Sequence, residues 1–464
     1  MYFSDYLDPI VPQQIRKLAP FCAKKVTGLF IRIAFAFGIL TVFLFSIRQP
    51  NTVGMILILF ATLNFLILLY YKISIIINRP YSITWRKSES PKLPNQDGLP
   101  IYTVIIPLKE ESNIIKRLRR AIENIQYPED KVEFFLCIDE NDFLTIEAID
   151  NGNFPRNVRM LLVPESFPFT KGRVMQHALK KAKGTIITVY DAEDFPESDQ
   201  LLKAASLLNP EKEQICIQGI IKIENANKNI LTKLFAAEYS EWFEDFLVQR
   251  SCSDKPFGLG GNSYHLKTAL LNKVGGFDPF NVTEDAELSA RLCVHNVKMK
   301  MFNSITYELC PENLIAWMKQ RIRWSKGLLI THLSFFRVIG PTIKQMGFSH
   351  FRSFWLKMVC AIWLPLSSCV IFLSFNFTID NHAFPTNSIF INKSLIILLV
   401  FQFLITLFAQ VYINNKHLKN MNINLNFIIL TFATLVYWFM YILAGLLAYI
   451  EYVIDPTKWH KTEH

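Results

Sequence analysis

Charge is scarce in this chain: Asp, Glu, Lys and Arg make up only 19% of its 464 residues, against 51% hydrophobic, and 39 of those are Phe. So apolar a composition excludes an ordinary water-soluble protein and points to a membrane. None of the eight cysteines forms C-x-x-C, and no histidine stands at a zinc-like interval, so a structural zinc site is excluded. Cys137 and Cys216 lie in apolar runs, read as small buried hydrophobes, and suit a reducing compartment. The Gly-rich run 257–263 lacks the Gly-Lys-Ser/Thr of a P-loop and carries no NTPase signal. The formal charge of +10 is not gathered into an aromatic-interleaved patch, so no nucleic-acid partner is expected. The cations flank apolar segments instead, as they do on the cytoplasmic side of membrane helices.

The apolar excess is uneven. It falls at about 26–78 and 353–453, and the stretch between reads as a soluble domain. A bilayer core takes roughly 20 apolar residues as helix, and segments near that length occur at 26–47, 53–71, 354–375, 394–411 and 427–453. Arg16, Lys17, Lys24 and Lys25 precede the first pair, and Lys72, Arg79, Arg86 and Lys87 follow it, which sets the N-terminus and the middle domain in the cytoplasm. The final segment is ambiguous. One crossing would put the C-terminus outside. Lys458 and Lys461 favour inside, which requires a re-entrant hairpin or a surface-lying helix, and inside is the expectation. The chain thus divides into 1–87 (tail and two membrane helices), 88–335 (cytoplasmic domain with an interfacial helix) and 336–464 (membrane region and tail).

Within the middle domain, strand signals at 101–107, 132–138, 158–163 and 185–190 alternate with helical periods at 113–126 and 173–183. This is the pattern of an α/β fold with a mostly parallel sheet, whose ligands bind beyond the carboxyl ends of the strands. Two strands run into acids there, Asp139 and Asp191. The second continues as Asp191-Ala-Glu-Asp194. Hard carboxylate oxygens delivered into a turn in this way suit Mg2+ or Mn2+ at a diphosphate. Thr283-Glu284-Asp285 opens a helix, and one of its two carboxylates can take a proton from an acceptor hydroxyl. Gln320-Arg-Ile-Arg323-Trp324 puts Gln320, Arg323 and Trp324 on one helix face, where Arg323 can grip a diphosphate and Trp324 can stack on a sugar. Lys171 at a helix start is a candidate anion contact.

The order and spacing of these motifs, bracketed by membrane segments, resemble the processive family-2 glycosyltransferases that include cellulose, hyaluronan and chitin synthases. Two strings, 190–201 and 459–464, resemble a bacterial exopolysaccharide subgroup. The resemblance implies a GT-A-like domain inserted between transmembrane helices, in the bacterial inner membrane with the catalytic domain cytoplasmic. It implies transfer from a UDP-sugar, UDP-glucose first, to a growing glycan or alternatively to a lipid acceptor, with a divalent metal and with export partner subunits. A channel component without catalysis is the distant alternative. Residue by residue, Glu111 lies near the uridine, Asp139 at base or ribose, and Lys171 in the donor region. Asp191 and Glu193 (or Asp194) hold the metal, Asp285 is the base, Arg323 meets the diphosphate, and Gln320 and Trp324 meet the acceptor.

Overall fold

The computed structural model describes residues 17–459 except 19, 49, 89–97, 209–213, 353 and 356–385, so the expected apolar segment at 354–375 falls almost wholly outside the described residues. Among the described residues, eight strands form one sheet: β1 (Tyr102–Leu108), β2 (Val132–Asp139), β3 (Val158–Val163), β4 (Ile186–Val189), β5 (Phe195–Pro196), β6 (Ile215–Ile223), β7 (Tyr264–Lys267) and β8 (Lys298–Glu308). Their spatial order is β3-β2-β1-β4-β7-β6-β8-β5. The pairings β1–β2, β1–β4, β2–β3 and β6–β8 are parallel, and those of β7 with β4 and β6, and of β5 with β8, are antiparallel.

β1 is buried along its whole length, which is why it reads as an unbroken apolar run instead of an alternating one. Its side chains feed two cores, Ile105 with Phe135 and Val189 on one face and Val104 with Phe134 and Leu136 on the other. β7 departs from the parallel expectation, with a consequence for the site. Running against β4, it brings the Gly-rich loop before it to the carboxyl end of β4, where Ser263 N–H donates to Val189 O at 2.8 Å.

The helix expected at 173–183 spans Lys171–Lys181, two residues earlier, because the Thr170 hydroxyl caps it by accepting from Arg173 N–H at 3.3 Å. The helix expected at 113–126 is shorter, Ile115–Asn124. The Gln320–Trp324 motif rides on a 23-residue helix, Leu314–Phe336, capped by Asn313.

On the apolar side, Leu29–Arg48 is one helix and Pro50–Ser88 a second, 39 residues long, far longer than the segment expected at 53–71. Among the described residues, three stretches are long and apolar enough to cross a membrane: Leu59–Asn78, Ile397–Asn420 and Phe427–Ile454. The first two belong to helices that pack together, with Phe65 and Phe403 edge to face at 6.1 Å. Both are tied to a π-helical turn of the sheet domain, Glu241–Phe246. Lys72 pairs with Glu241, Gln410 donates to the same carboxylate at 2.8 Å, and His417 bonds Asp245 at 2.8 Å.

Candidate active site

Asp139 ends β2 and Asp191 follows β4, with β1 between them, so both acids stand on one edge of the sheet. Glu111 follows β1 at that same edge, in a turn where Glu110 takes a φ of 55°, and its N–H donates to Thr145 Oγ1 at 2.8 Å. Asp139 pairs with the buried Arg173, whose guanidinium also donates to Pro164 O at 2.5 Å. Arg173 was not singled out from the sequence. The Thr170 cap was the signal that would have turned it toward the acid.

Lys171 is the hub. Its ammonium lies 2.5 Å from Asp191 Oδ1 and 3.5 Å from Glu284 Oε1, and it reaches Gly261 O at 3.4 Å. Burial works against its charge, but Asp191, Glu284 and Asp285 outweigh that and raise its pKa. Gly261 has a φ of +91°, and a Cβ there would sit 3.6 Å from Asp285 Oδ2. This loop position therefore favours glycine by conformation and also admits the carboxylate. Burial pushes Glu284 up to about 7 against the pull of Lys171. Burial raises Asp285 too, opposed by Lys171 and, more weakly, by Arg323. The structure thus brings Lys171, Asp191, Glu284 and Asp285 together, with Arg323 within electrostatic reach.

The acids after β4 divide their duties. Asp194 is buried, and both its oxygens are used: Oδ2 accepts from Asp191 N–H at 2.7 Å and Oδ1 from Asn262 Nδ2 at 3.1 Å. It shapes the turn. The side chain of Asp191 is 28% exposed, and the backbone carbonyl of Glu193 accepts from Arg117 at 2.9 Å. Among the described residues no cluster of three or more His, Cys, Asp or Glu could hold a metal alone. The partly exposed carboxylate of Asp191 is a hard oxygen donor of the kind an Mg2+-type cation takes in ones or twos, completing its shell with water and substrate phosphates.

The motif helix closes on the Thr283–Asp285 segment at Gly327, where a Cβ would lie 2.2 Å from Thr283 Oγ1 and 2.7 Å from Thr283 Cβ. Gly327→Ala would normally gain helix propensity of about 1 kcal/mol. Here it is expected to destabilise by about 1–3 kcal/mol through overpacking, read as a lower denaturation midpoint. Gln320 is buried, and its Oε1 has no hydrogen-bond partner among the described residues. Trp324 is half-buried. Its ring stacks near Tyr239 at 6.4 Å and lies under the Arg321 guanidinium, 4.3 Å from the ring centroid. Arg321 was passed over in the sequence, yet it is heavily partnered. It forms a two-pronged pair with Glu238 at 3.0 and 2.9 Å, inside a cage of Phe235, Trp317, Trp324 and Tyr441.

Chemically, an ammonium, a guanidinium and paired carboxylates at the mouth of an α/β sheet can grip a diphosphate and accept a proton beside it. Known proteins agree. A "Probable glycosyltransferase YdaM" of Bacillus subtilis (strain 168) is 24% identical over 378 residues, covering 80% of this chain and 88% of that protein. A beta-monoglucosyldiacylglycerol synthase of Trichormus variabilis is 28% identical over 249 residues, and the match spans about half of each chain (53% and 52%). Among solved structures, the mannosyltransferase PcManGT from Pyrobaculum calidifontis, in complex with GDP-Man and Mn2+, superposes with a TM-score of 0.51 at 16% identity, covering 76% of this chain and 98% of that one. At that identity the likeness speaks for the fold, which is the GT-A arrangement. The model described as "Glycosyl transferase family group 2" matches residues 186–452, from β4 through the motif helix and into the last apolar helix, and the chain belongs to that family of sugar-transferring enzymes.

Proposed function

We propose that the chain moves a hexose from a UDP-sugar, UDP-glucose first, onto the end of a growing β-linked polysaccharide at the cytoplasmic face of a bacterial inner membrane. The observation that carries this reading is the meeting of Asp285, Lys171 and Asp191 at Gly261. Asp285 accepts the proton of the acceptor hydroxyl. The hydroxyl oxygen bonds the anomeric carbon as the bond from that carbon to the diphosphate breaks, and the nucleoside diphosphate departs. In-line displacement inverts the centre, giving a β-linkage from an α-linked donor. Lys171 and Arg323 face the negative charge that develops on the leaving group. Asp191 and Glu193 would hold a divalent cation, which neutralises diphosphate charge when bound. Asp139 and Glu111 flank the nucleoside. Trp324 offers a ring face to the acceptor sugar, and the unpartnered amide oxygen of Gln320 accepts a hydroxyl from it.

Transfer of one sugar to a lipid is the second reading, favoured by the named activity of the Trichormus variabilis relative. The purified protein, given a panel of UDP-sugars with Mg2+ or Mn2+, is expected to turn over one donor, lose activity to a chelator, and yield a long product. A product one sugar long would favour the glycolipid reading. No turnover of any UDP-sugar would end the donor assignment.

A further inference from the structure

The last apolar helix, Phe427–Ile454, has the length and composition to cross a membrane. Its fastenings run against that. Near its start Thr434 accepts from Asn414, just under one turn before the His417 that bonds Asp245 of the sheet domain. Farther on, Tyr437 donates to Glu238 at 2.6 Å and Glu451 pairs with Lys326 at 3.1 Å. At its end Arg32, in the first turn of the helix Leu29–Arg48, donates to Val453 O at 2.7 Å and to Ile454 O at 2.8 Å. Beyond it, Lys326 donates to the carbonyls of Asp455 and Lys458 at 3.2 and 2.8 Å, and Lys109, just past β1, lies 4.8 Å from the Trp459 ring centroid.

Both ends of the helix thus touch the sheet domain or the helix ends that adjoin it. The motif helix runs beside it in the same direction: Trp317 meets Tyr437, Arg321 meets Tyr441, and Lys326 meets Glu451. Twenty-eight residues of helix span about 42 Å, and a single crossing would carry the far end past a hydrocarbon core of about 30 Å, away from every one of those partners.

The two faces differ. Leu430, Thr434, Tyr437, Ala444, Ala448 and Tyr452 are buried against the protein. Ile428, Phe432, Phe439, Leu443, Ile450 and Ile454, on the other side, are between 43% and 76% exposed. The helix's one charged residue, Glu451, is held by Lys326, so the exposed stripe carries no charge. The helices it packs on also expose apolar side chains, Phe37 on one and Phe401 and Phe408 on the other. A stripe of this kind in water marks an interaction site, and its packing beside Ile397–Asn420, itself long and apolar enough to cross a membrane, names the occupant.

We infer that Phe427–Ile454 lies along the membrane surface, its Ile and Phe face among the acyl chains and its Tyr face fixed to the catalytic domain, and that the chain after it returns to the catalytic side. This placement holds whichever sugar or acceptor is used. Such a helix sits at the boundary of headgroups and chains.

The full chain, expressed in a Gram-negative host with green fluorescent protein or alkaline phosphatase at its C-terminus, tests the side. Fluorescence without phosphatase activity, matching the same reporters at the N-terminus, is expected, and the reverse pattern overturns the inference. A fluorescent amino acid in place of Phe432, Phe439 or Ile450, in vesicles of phosphatidylethanolamine and phosphatidylglycerol, tests the depth. Bromines placed near the headgroups are expected to quench all three positions alike. Stronger quenching of the Phe439 site by bromines near the chain ends would mean a crossing or a re-entrant hairpin. No quenching at any site would mean that protein, whether a second copy or another segment, covers the stripe. Either result overturns the inference.

Discussion

Asp285→Asn is expected to lower transfer by roughly 10²–10⁴-fold, the range for removal of a general base, while donor affinity stays close to that of the parent. The geometry gives the reason for each half. The carboxylate stands beside Gly261, whose carbonyl accepts from Lys171, so it lies next to the charges proposed for the diphosphate. It is not the carboxylate bonded to Lys171 at 2.5 Å, which is Asp191, so donor contacts survive the change. Stability should move little. Asparagine loses a favourable interaction with the helix N-terminus, about 0.3–1 kcal/mol, but it also relieves the burial of a charged group, the effect that raises Asp285 in the first place. The pH profile adds an independent readout. A base works deprotonated, so kcat/KM falls as pH drops through its raised pKa, and this acid limb sits above the range of an ordinary aspartate. In Asp285→Asn the limb should vanish from whatever activity remains. Transfer near the parental rate in Asp285→Asn would remove Asp285 from the base role.

Arg321→Leu is expected to cost about 2–3 kcal/mol of stability. Breaking a buried pair by removing one partner costs about 3–5 kcal/mol because the other charge is left behind. The Arg321 side chain is 2% exposed but that of Glu238 is 33% exposed, so water screens part of the loss. Tyr437 and Tyr441 both bond Glu238, and they would then face a carboxylate without its counter-ion. The double variant Arg321→Leu with Glu238→Leu should therefore be less destabilised than the sum of the two singles, with a coupling of about 0.5–3 kcal/mol. Strict additivity in denaturation midpoints would show that the pair is not the source of the cost. Transfer should fall as well, because the guanidinium lies 4.3 Å from the Trp324 ring centroid and fixes the ring proposed to receive the acceptor.

The acids were legible in the sequence because each one punctuates a strand: a buried, mostly apolar run ends and a carboxylate begins, as at Asp139 and Asp191. The Thr283–Asp285 segment was legible through its capping pattern. What lay hidden was pairing at long range. Arg321 and Glu238 are 83 positions apart, and Arg321 and Tyr441 are 120 apart, so no local period links them. Arg173 reaches Asp139 across 34 positions and only because the helix begins at Lys171. The direction of the last helix was ambiguous for a related reason. Hydropathy reports how greasy a stretch is, and the Lys326 and Arg32 contacts that fasten its end come from other parts of the chain. The sequence around Gly327 carries no sign of a close contact. Only the position of Thr283 gives it meaning.

That contact also limits modularity. A segment proposed to read the acceptor and a segment proposed to remove its proton meet there with no room for a single methyl group, so an exchange of either between relatives has to respect the other. Grafting a foreign acceptor helix onto this scaffold would begin with either a collision or a void beside the base. The two stretches form one heritable unit, although more than thirty residues of chain separate them.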